Sequence, residues 1–209
     1  MLVHQLIYQG ADDNAAFRGK DSVTYRNLQE AVASYRSFFV RSGICAGDNV
    51  GLFARNSVEF VYSYMAIVGL GAVVVPLNFQ LTAREIAFIV KDAQMKHLVT
   101  AESLRLDDEF ERSGYVQKVR QLVIGDFKAD LPTGTPDDDF GFIGTGDDHP
   151  CAIIYTSGTT GNPKGAVLSH KNLLSNAAAF KDALPLNPGD NVLCVLPMYH
   201  CFAWTCAIL

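Results

Sequence analysis

One segment stands apart in chemistry: Tyr155-Thr156-Ser157-Gly158-Thr159-Thr160-Gly161-Asn162-Pro163-Lys164-Gly165. It holds three glycines, four Ser or Thr hydroxyls and one lysine between two short apolar runs. Glycine lets backbone N–H groups approach an anion closely. The hydroxyls add donors to phosphate oxygens or a ligand to magnesium. Lys164 supplies a point charge, and Pro163 fixes φ just before it. Together these features fit a triphosphate. The spacing is not that of a Walker A loop, in which lysine directly follows glycine and a helix begins at once. Here Lys164 follows Pro163, and a strand is predicted after Gly165. There is no G-x-S-x-G elbow, so Ser157 is a poor nucleophile. A flexible Gly/Thr linker is the bland alternative, and the flanking strands and Pro163-Lys164-Gly165 argue against it.

A second candidate is His200, in Leu196-Pro197-Met198-Tyr199-His200. Pro197 opens a loop at a predicted strand end, where ligands of open α/β sheets gather. Cys194, His200, Cys201 and Cys206 have no standard zinc spacing, and adjacent ligands point apart on an extended chain. The three consecutive aspartates at 137–139 read as a solvated loop, since no glycine turn follows them as in a calcium loop. Tyr25 and Phe79 read as core residues.

The elements that must position these groups alternate between β-branched runs and amphipathic helices, the pattern of a parallel sheet covered on both faces. Predicted strands are Val50–Ala54, Val73–Val75, His97–Thr100, Gln121–Ile124, Cys151–Tyr155, Ala166–Leu168 and Asn191–Leu196. Asn56 with Glu59, and Thr82 with Glu85, read as capping boxes. The first helix runs from Phe60 to Leu70 and stops at Gly69 or Gly71. A charged helix is predicted around 102–112, and Ser169 caps another through Ala183. The fold class is therefore α/β, with a mostly parallel, doubly wound sheet flanked by helices. Three regions follow: an α/β subdomain over 1–124, an acidic surface connection over 125–149, and a phosphate-loop strand with the start of a further α/β subdomain over 150–209.

Of the 209 residues, 49% are hydrophobic and 19% charged, enough apolar material for a core and too much for a disordered chain. The net charge of −5 is concentrated in residues 126–148, with seven aspartates and one lysine, leaving the remainder near +1. No basic face for nucleic acid is evident. No charge occurs between Glu59 and Arg84, but Gly69, Gly71 and Pro76 interrupt that stretch, which argues against a transmembrane segment. Five cysteines without CxxC spacing, and a start lacking signal-peptide features, read as a reduced, cytoplasmic protein. The apolar end, Phe202 to Leu209, has no helix cap, glycine, proline or charge. The chain therefore reads as the front part of a longer protein.

The segment Tyr155–Gly165 closely resembles the signature of the AMP-forming adenylating enzymes, which include acyl-CoA synthetases, luciferases and peptide-synthetase adenylation domains. Val23-Thr24-Tyr25-Arg26-Asn27-Leu28 is similar to that superfamily's T-Y-x-x-L element. Gly69 to Asn78 resembles its G-x-x-x-x-P-L-N strand. Leu196–His200 resembles the L-P-x-[FY]-H motif of the fatty acyl-CoA ligase branch. The resemblance covers nearly the whole chain but under half of the family's usual length.

The resemblance implies a two-step ligase that uses ATP, Mg2+ and coenzyme A with a small-molecule carboxylic acid. Thr156, Ser157, Gly158, Thr159, Thr160 and Gly161 would hold the β- and γ-phosphates, with Lys164 assisting as a catalytic residue and Gly165 completing the motif. Thr156 would also lie beside the metal, and His200 would line the acyl pocket near the reacting carboxylate. The family's acidic magnesium ligand, ribose aspartate and C-terminal lysine follow its phosphate loop, and no match to them follows Gly165 here. Thr145-Gly146-Asp147 mimics the ribose motif but precedes the loop, and reads as coincidence. The expectation is an N-terminal portion that needs a missing C-terminal part and is inactive alone. The alternatives are an aryl-CoA ligase or carrier-protein loader, and a non-catalytic nucleotide-binding module.

Overall fold

The computed structural model describes residues 1–20, 22–133, 146–156, 163–187 and 189–209. A 3-10 turn over Val3–Tyr8 precedes a small antiparallel ribbon of β1 (Ala15–Arg18) and β2 (Ser22–Thr24). The Thr24 hydroxyl accepts from the Asn27 amide and so starts α1 (Tyr25–Arg41). The alternating series then unfolds as β3 (Asn49–Phe53), α2 (Val58–Gly69), β4 (Val73–Pro76), α3 (Ala83–Asp92), β5 (His97–Thr100), α4 (Asp107–Ser113) and β6 (Arg120–Val123). After α5 (Ile124–Phe127) come β7 (Pro150–Thr156), β8 (Lys164–Ser169), α6 (His170–Ala183) and α7 (Cys201–Ala207).

Six strands form one sheet in the order β6-β5-β3-β4-β7-β8. Every neighbouring pair is parallel except β7 and β8, which are antiparallel. The inner strands β3, β4, β5 and β7 are buried on both faces along most of their length, whereas the edge strand β8 is largely exposed, and successive side chains of the inner strands divide between two cores. Val74, Val99 and Ala152 join α1 and α2 on one face. Val73, Val75, Leu98 and Ile153 join α3 on the other. This is the mostly parallel, helix-flanked α/β sheet that the alternation implied.

The uncharged stretch after Glu59 has a simple physical origin. α2 carries Phe60, Val61, Tyr64, Met65, Ala66, Ile67 and Val68 buried around its whole circumference. Sheet, α1 and the N-terminal turn enclose it, so no side needs polar residues. Among the described residues no helix is long and apolar enough to cross a membrane. Gly71 follows with φ +72°, a left-handed conformation that glycine adopts without strain.

Several local expectations change. Ser57, not Asn56, caps α2, its hydroxyl accepting from the Phe60 amide. The charged helix begins only at Asp107, which puts Asp107, Asp108 and Glu109 in its first turn, where the helix dipole favours acids. The connection read as surface from residue 125 still packs at its start: Ile124 and Phe127 are buried, and Phe127 stacks on Phe38 at 4.3 Å between ring centroids. Asn191–Leu196 forms no strand. Strands exist only where a neighbour supplies ladder bonds, and among the described residues this run has none; Leu193 is 83% exposed.

The Thr82–Glu85 capping box is present, with reciprocal bonds between the Thr82 hydroxyl and the Glu85 amide and between the Glu85 carboxylate and the Thr82 amide. Ser169 caps α6 as expected. The segments 1–124 and 150–209 meet in one sheet, where β7 lies beside β4 in the register Val74–Ala152.

Candidate functional site

The parallel strands end on one edge of the sheet, so the loops following Phe53, Pro76 and Thr156 lie there together. The hairpin of β7 and β8 projects at this edge. Its last cross-strand pair is Thr156–Lys164, preceded by Tyr155–Gly165 and Ile154–Ala166. Directly opposed residues of an antiparallel pair present their side chains on the same face. Alternation places Thr156 and Lys164 on the face of Ala152 and Leu168, the side that also packs Met198 and Trp204. Both residues are exposed. A hydroxyl and an ammonium thus flank the mouth of the loop. The residues between them, Ser157, Gly158, Thr159, Thr160 and Gly161, lie outside the described residues.

The opposite face of the hairpin shows how the mouth is held. The Tyr155 ring lies across Gly165, where an added Cβ would come within 3.0 Å of Cζ and within 2.8 Å of Cγ2 of Ile153. Only a hydrogen fits there. Gly165 therefore has a packing role on this face, beyond any approach of its amide to an anion. The Tyr155 hydroxyl donates to Asp92 Oδ2 at 2.5 Å, tying β7 to the last residue of α3. Burial, helped by that carboxylate, pushes the Tyr155 phenol well above its usual range and keeps it a donor. Sequence reasoning had no signal for Asp92, because nothing local marks an exposed helix-terminal acid as a partner for residue 155.

His200 lies in a turn brought to the same edge by partners that sequence reasoning also missed. Asn56, in the turn after β3, donates from Nδ2 to the Leu196 carbonyl at 2.8 Å and accepts at Oδ1 from the Met198 amide at 2.7 Å. Tyr199 meets Phe79 edge-on at 5.6 Å, and Arg55 lies over the Phe79 ring at 4.7 Å. Phe79 is only half-buried, so its ring serves this contact more than the core. His200 itself is exposed and caps α7, its Nδ1 accepting from the Phe202 amide at 3.3 Å. With Nδ1 accepting, the neutral ring carries its proton on Nε2.

Burial pushes the Cys151 thiol up to about 12, so it is no nucleophile at neutral pH. Among the described residues no group of three or more His, Cys, Asp or Glu is placed to hold a metal ion. The donor set at the hairpin mouth, one hydroxyl and one ammonium, fits the anionic oxygens of a polyphosphate. For Mg2+ it offers the Thr156 hydroxyl alone.

Comparison with known proteins places the chain in a family. A family model described as AMP-binding enzyme matches residues 5–209. The long-chain-fatty-acid–CoA ligase FadD13 of Mycobacterium tuberculosis is 32% identical over 188 residues, covering 89% of this chain and 37% of that protein. A medium-chain-fatty-acid–CoA ligase of Ectopseudomonas oleovorans is 27% identical over 98% of this chain and 40% of its own length. The crystal structure of apo MatB from Rhodopseudomonas palustris superposes with a TM-score of 0.85 at 28% identity, over the whole of this chain and 43% of that one. The chain thus spans about two fifths of the length of the curated relatives it matches. With residues 5–209 matched by the family model, this chain belongs to the AMP-binding enzyme family.

Proposed function

We propose that this chain is the N-terminal portion of an AMP-forming acyl-CoA ligase for a fatty acid, working in the cytoplasm. The observation that carries the reading is the Thr156–Lys164 pair at the mouth of the β7–β8 hairpin, in a chain whose relatives include fatty-acid–CoA ligases.

In the first step a carboxylate oxygen attacks the α-phosphorus of ATP. The bond from that phosphorus to the bridging oxygen breaks, and pyrophosphate leaves. In the second, the coenzyme A thiol adds to the acyl carbon, AMP departs with the bonding pair, and the thiol proton is released. A free carboxylate is a poor electrophile, and AMP is a far better leaving group than hydroxide. The chain's own groups act mainly by position and charge. Lys164 meets the growing negative charge on the departing pyrophosphate. The Thr156 hydroxyl donates to a phosphate oxygen or lies beside Mg2+, which would neutralise further phosphate charge. Thr156 through Gly161 cradle the β- and γ-phosphates, and Gly165 admits the Tyr155 ring that steadies the hairpin. His200 lines the acyl side. The five free cysteines accord with a reducing compartment.

The test is mass-spectrometric detection of acyl-AMP and acyl-CoA from ATP, coenzyme A and a panel of carboxylic acids, using the complete protein. Fatty acyl products are expected. A preference for aryl acids, or loading of a carrier protein instead of coenzyme A, would replace the substrate assignment. Tight MgATP binding without any adenylate would make the protein a nucleotide-binding module. The 209 residues alone are expected to show negligible turnover, because the groups described act only on the phosphate and acyl ends of the reaction.

A further inference from the structure

The turn after β3 makes an interaction that capping does not require. Ser57 serves the N-terminus of α2, which leaves Asn56 to act elsewhere. Its carboxamide bonds both sides of Pro197, to the Leu196 carbonyl at 2.8 Å and the Met198 amide at 2.7 Å. The Asn56 carboxamide uses one N–H and its oxygen here, the same donor–acceptor pairing that the peptide edge of a neighbouring strand supplies. Pro197 itself has no N–H to contribute. Among the described residues the backbone of 191–196 makes no backbone–backbone hydrogen bond, so Asn56 fixes the chain where it enters Met198–His200.

The contacts then close a circuit. Tyr199 leans on Phe79, Phe79 lies under Arg55, and Arg55 is the chain neighbour of Asn56. His200 follows directly and is held to α7 through Nδ1. The loops after β3 and β4 are thereby joined to the turn that carries His200.

We propose that Asn56 is a positioning residue for the acyl side of the reaction. It acts through the backbone of 196–198 and sets where His200 stands relative to the Thr156–Lys164 mouth. The assignment rests on the ligase reading above. It places the consequence of losing Asn56 on the carboxylic acid and not on the nucleotide.

The experiment compares wild type, Asn56→Ala and Asn56→Asp in the complete protein. Steady-state constants for carboxylic acid and for ATP are measured, with amide hydrogen exchange across 196–200. Asn56→Ala should lower kcat/KM for the acid by about tenfold, with little change in KM for ATP, as expected for loss of a hydrogen-bond pair. Asn56→Asp should lose at least as much, since it sets a carboxylate oxygen against the Leu196 carbonyl. Exchange at Met198 should quicken in Asn56→Ala while β3 and β4 stay protected; Asn56→Asp keeps an acceptor for that amide and loses only the bond to the Leu196 carbonyl. Unchanged exchange at Met198 in Asn56→Ala would overturn the clip. Quicker exchange with equal losses for acid and ATP would overturn the positioning role. If wild type forms no acyl-adenylate the ligase reading fails, and the exchange data still decide whether Asn56 holds the turn.

Discussion

Thr156 and Lys164 are the last residues to pair before the β7–β8 hairpin opens, and they stand on one face of it. A lysine eight positions after a threonine has no local reason to be its neighbour. The hairpin makes it so, and puts both at the edge where the parallel strands end.

Lys164 is exposed and spans no core contact, so its replacement should spare stability and cost function. Lys164→Ala is expected to lower kcat/KM for ATP by about 10- to 100-fold, the worth of one charge-assisted contact to phosphate. Lys164→Arg should retain part of the activity. Steady-state kinetics with a parallel melting curve checks this; a large fall in melting temperature would mean that the residue serves the fold.

Gly165 and Tyr155 should be energetically coupled. Gly165→Ala forces the Tyr155 and Ile153 side chains to shift, at a cost of about 1–3 kcal/mol for overpacking. In a Tyr155→Ala background the same change should cost less, the remaining cost coming from Ile153 Cγ2. Urea denaturation of the four proteins gives the coupling, and additive losses would contradict the packing described.

Stability should fall on acidification through His170. This residue is buried at the start of α6, and its Nδ1 accepts from the Val3 amide at 3.1 Å. Burial, with lesser contributions from His149 and the N-terminal amine and against the pull of Asp147, lowers its pKa from 6.5 to about 4. The His4 ring lies 6.3 Å away. The unfolded chain therefore takes up a proton near pH 6.5 that the folded chain refuses until about 4. Stability is full above that window and declines as pH falls through it, at up to about 1.4 kcal/mol per pH unit. His170→Gln should remove this part of the slope in urea midpoints measured from pH 7.5 to 4.5, a range of about three units.

The capping box of α3 should be worth a measurable amount. Thr82→Ala removes the acceptor of the Glu85 amide and the hydroxyl donor to the Glu85 carboxylate, leaving only the residue-82 amide of the two groups that hold that carboxylate below its usual range. A loss of about 1 kcal/mol is expected by chemical denaturation. A neutral result would show that packing alone sets the start of the helix.

Much of the architecture was readable from the chain. His97–Thr100 forms the strand anticipated for it, and Thr82 and Ser169 start the helices expected of them. These signals are short-range: β-branched runs, a hydroxyl three residues before its amide, a glycine at a stop. Asn56 misled because its residue type suits a cap, and the adjacent Ser57 took that place. Asn191–Leu196 misled because its apolar, β-branched composition is that of a strand, while no ladder partner stands beside it.

The residue types alone present a glycine- and hydroxyl-rich segment ending in proline and lysine, and they determine the kind of sheet, mostly parallel and helix-flanked. Only the folded chain decided that β7 inserts beside β4, that β8 turns back antiparallel, that Asp92 holds Tyr155 and that Asn56 reaches across 140 positions to Leu196. The reason is physical. Propensity and capping are set by neighbours a few residues apart, whereas strand order and side-chain partners depend on which surfaces the whole core brings together.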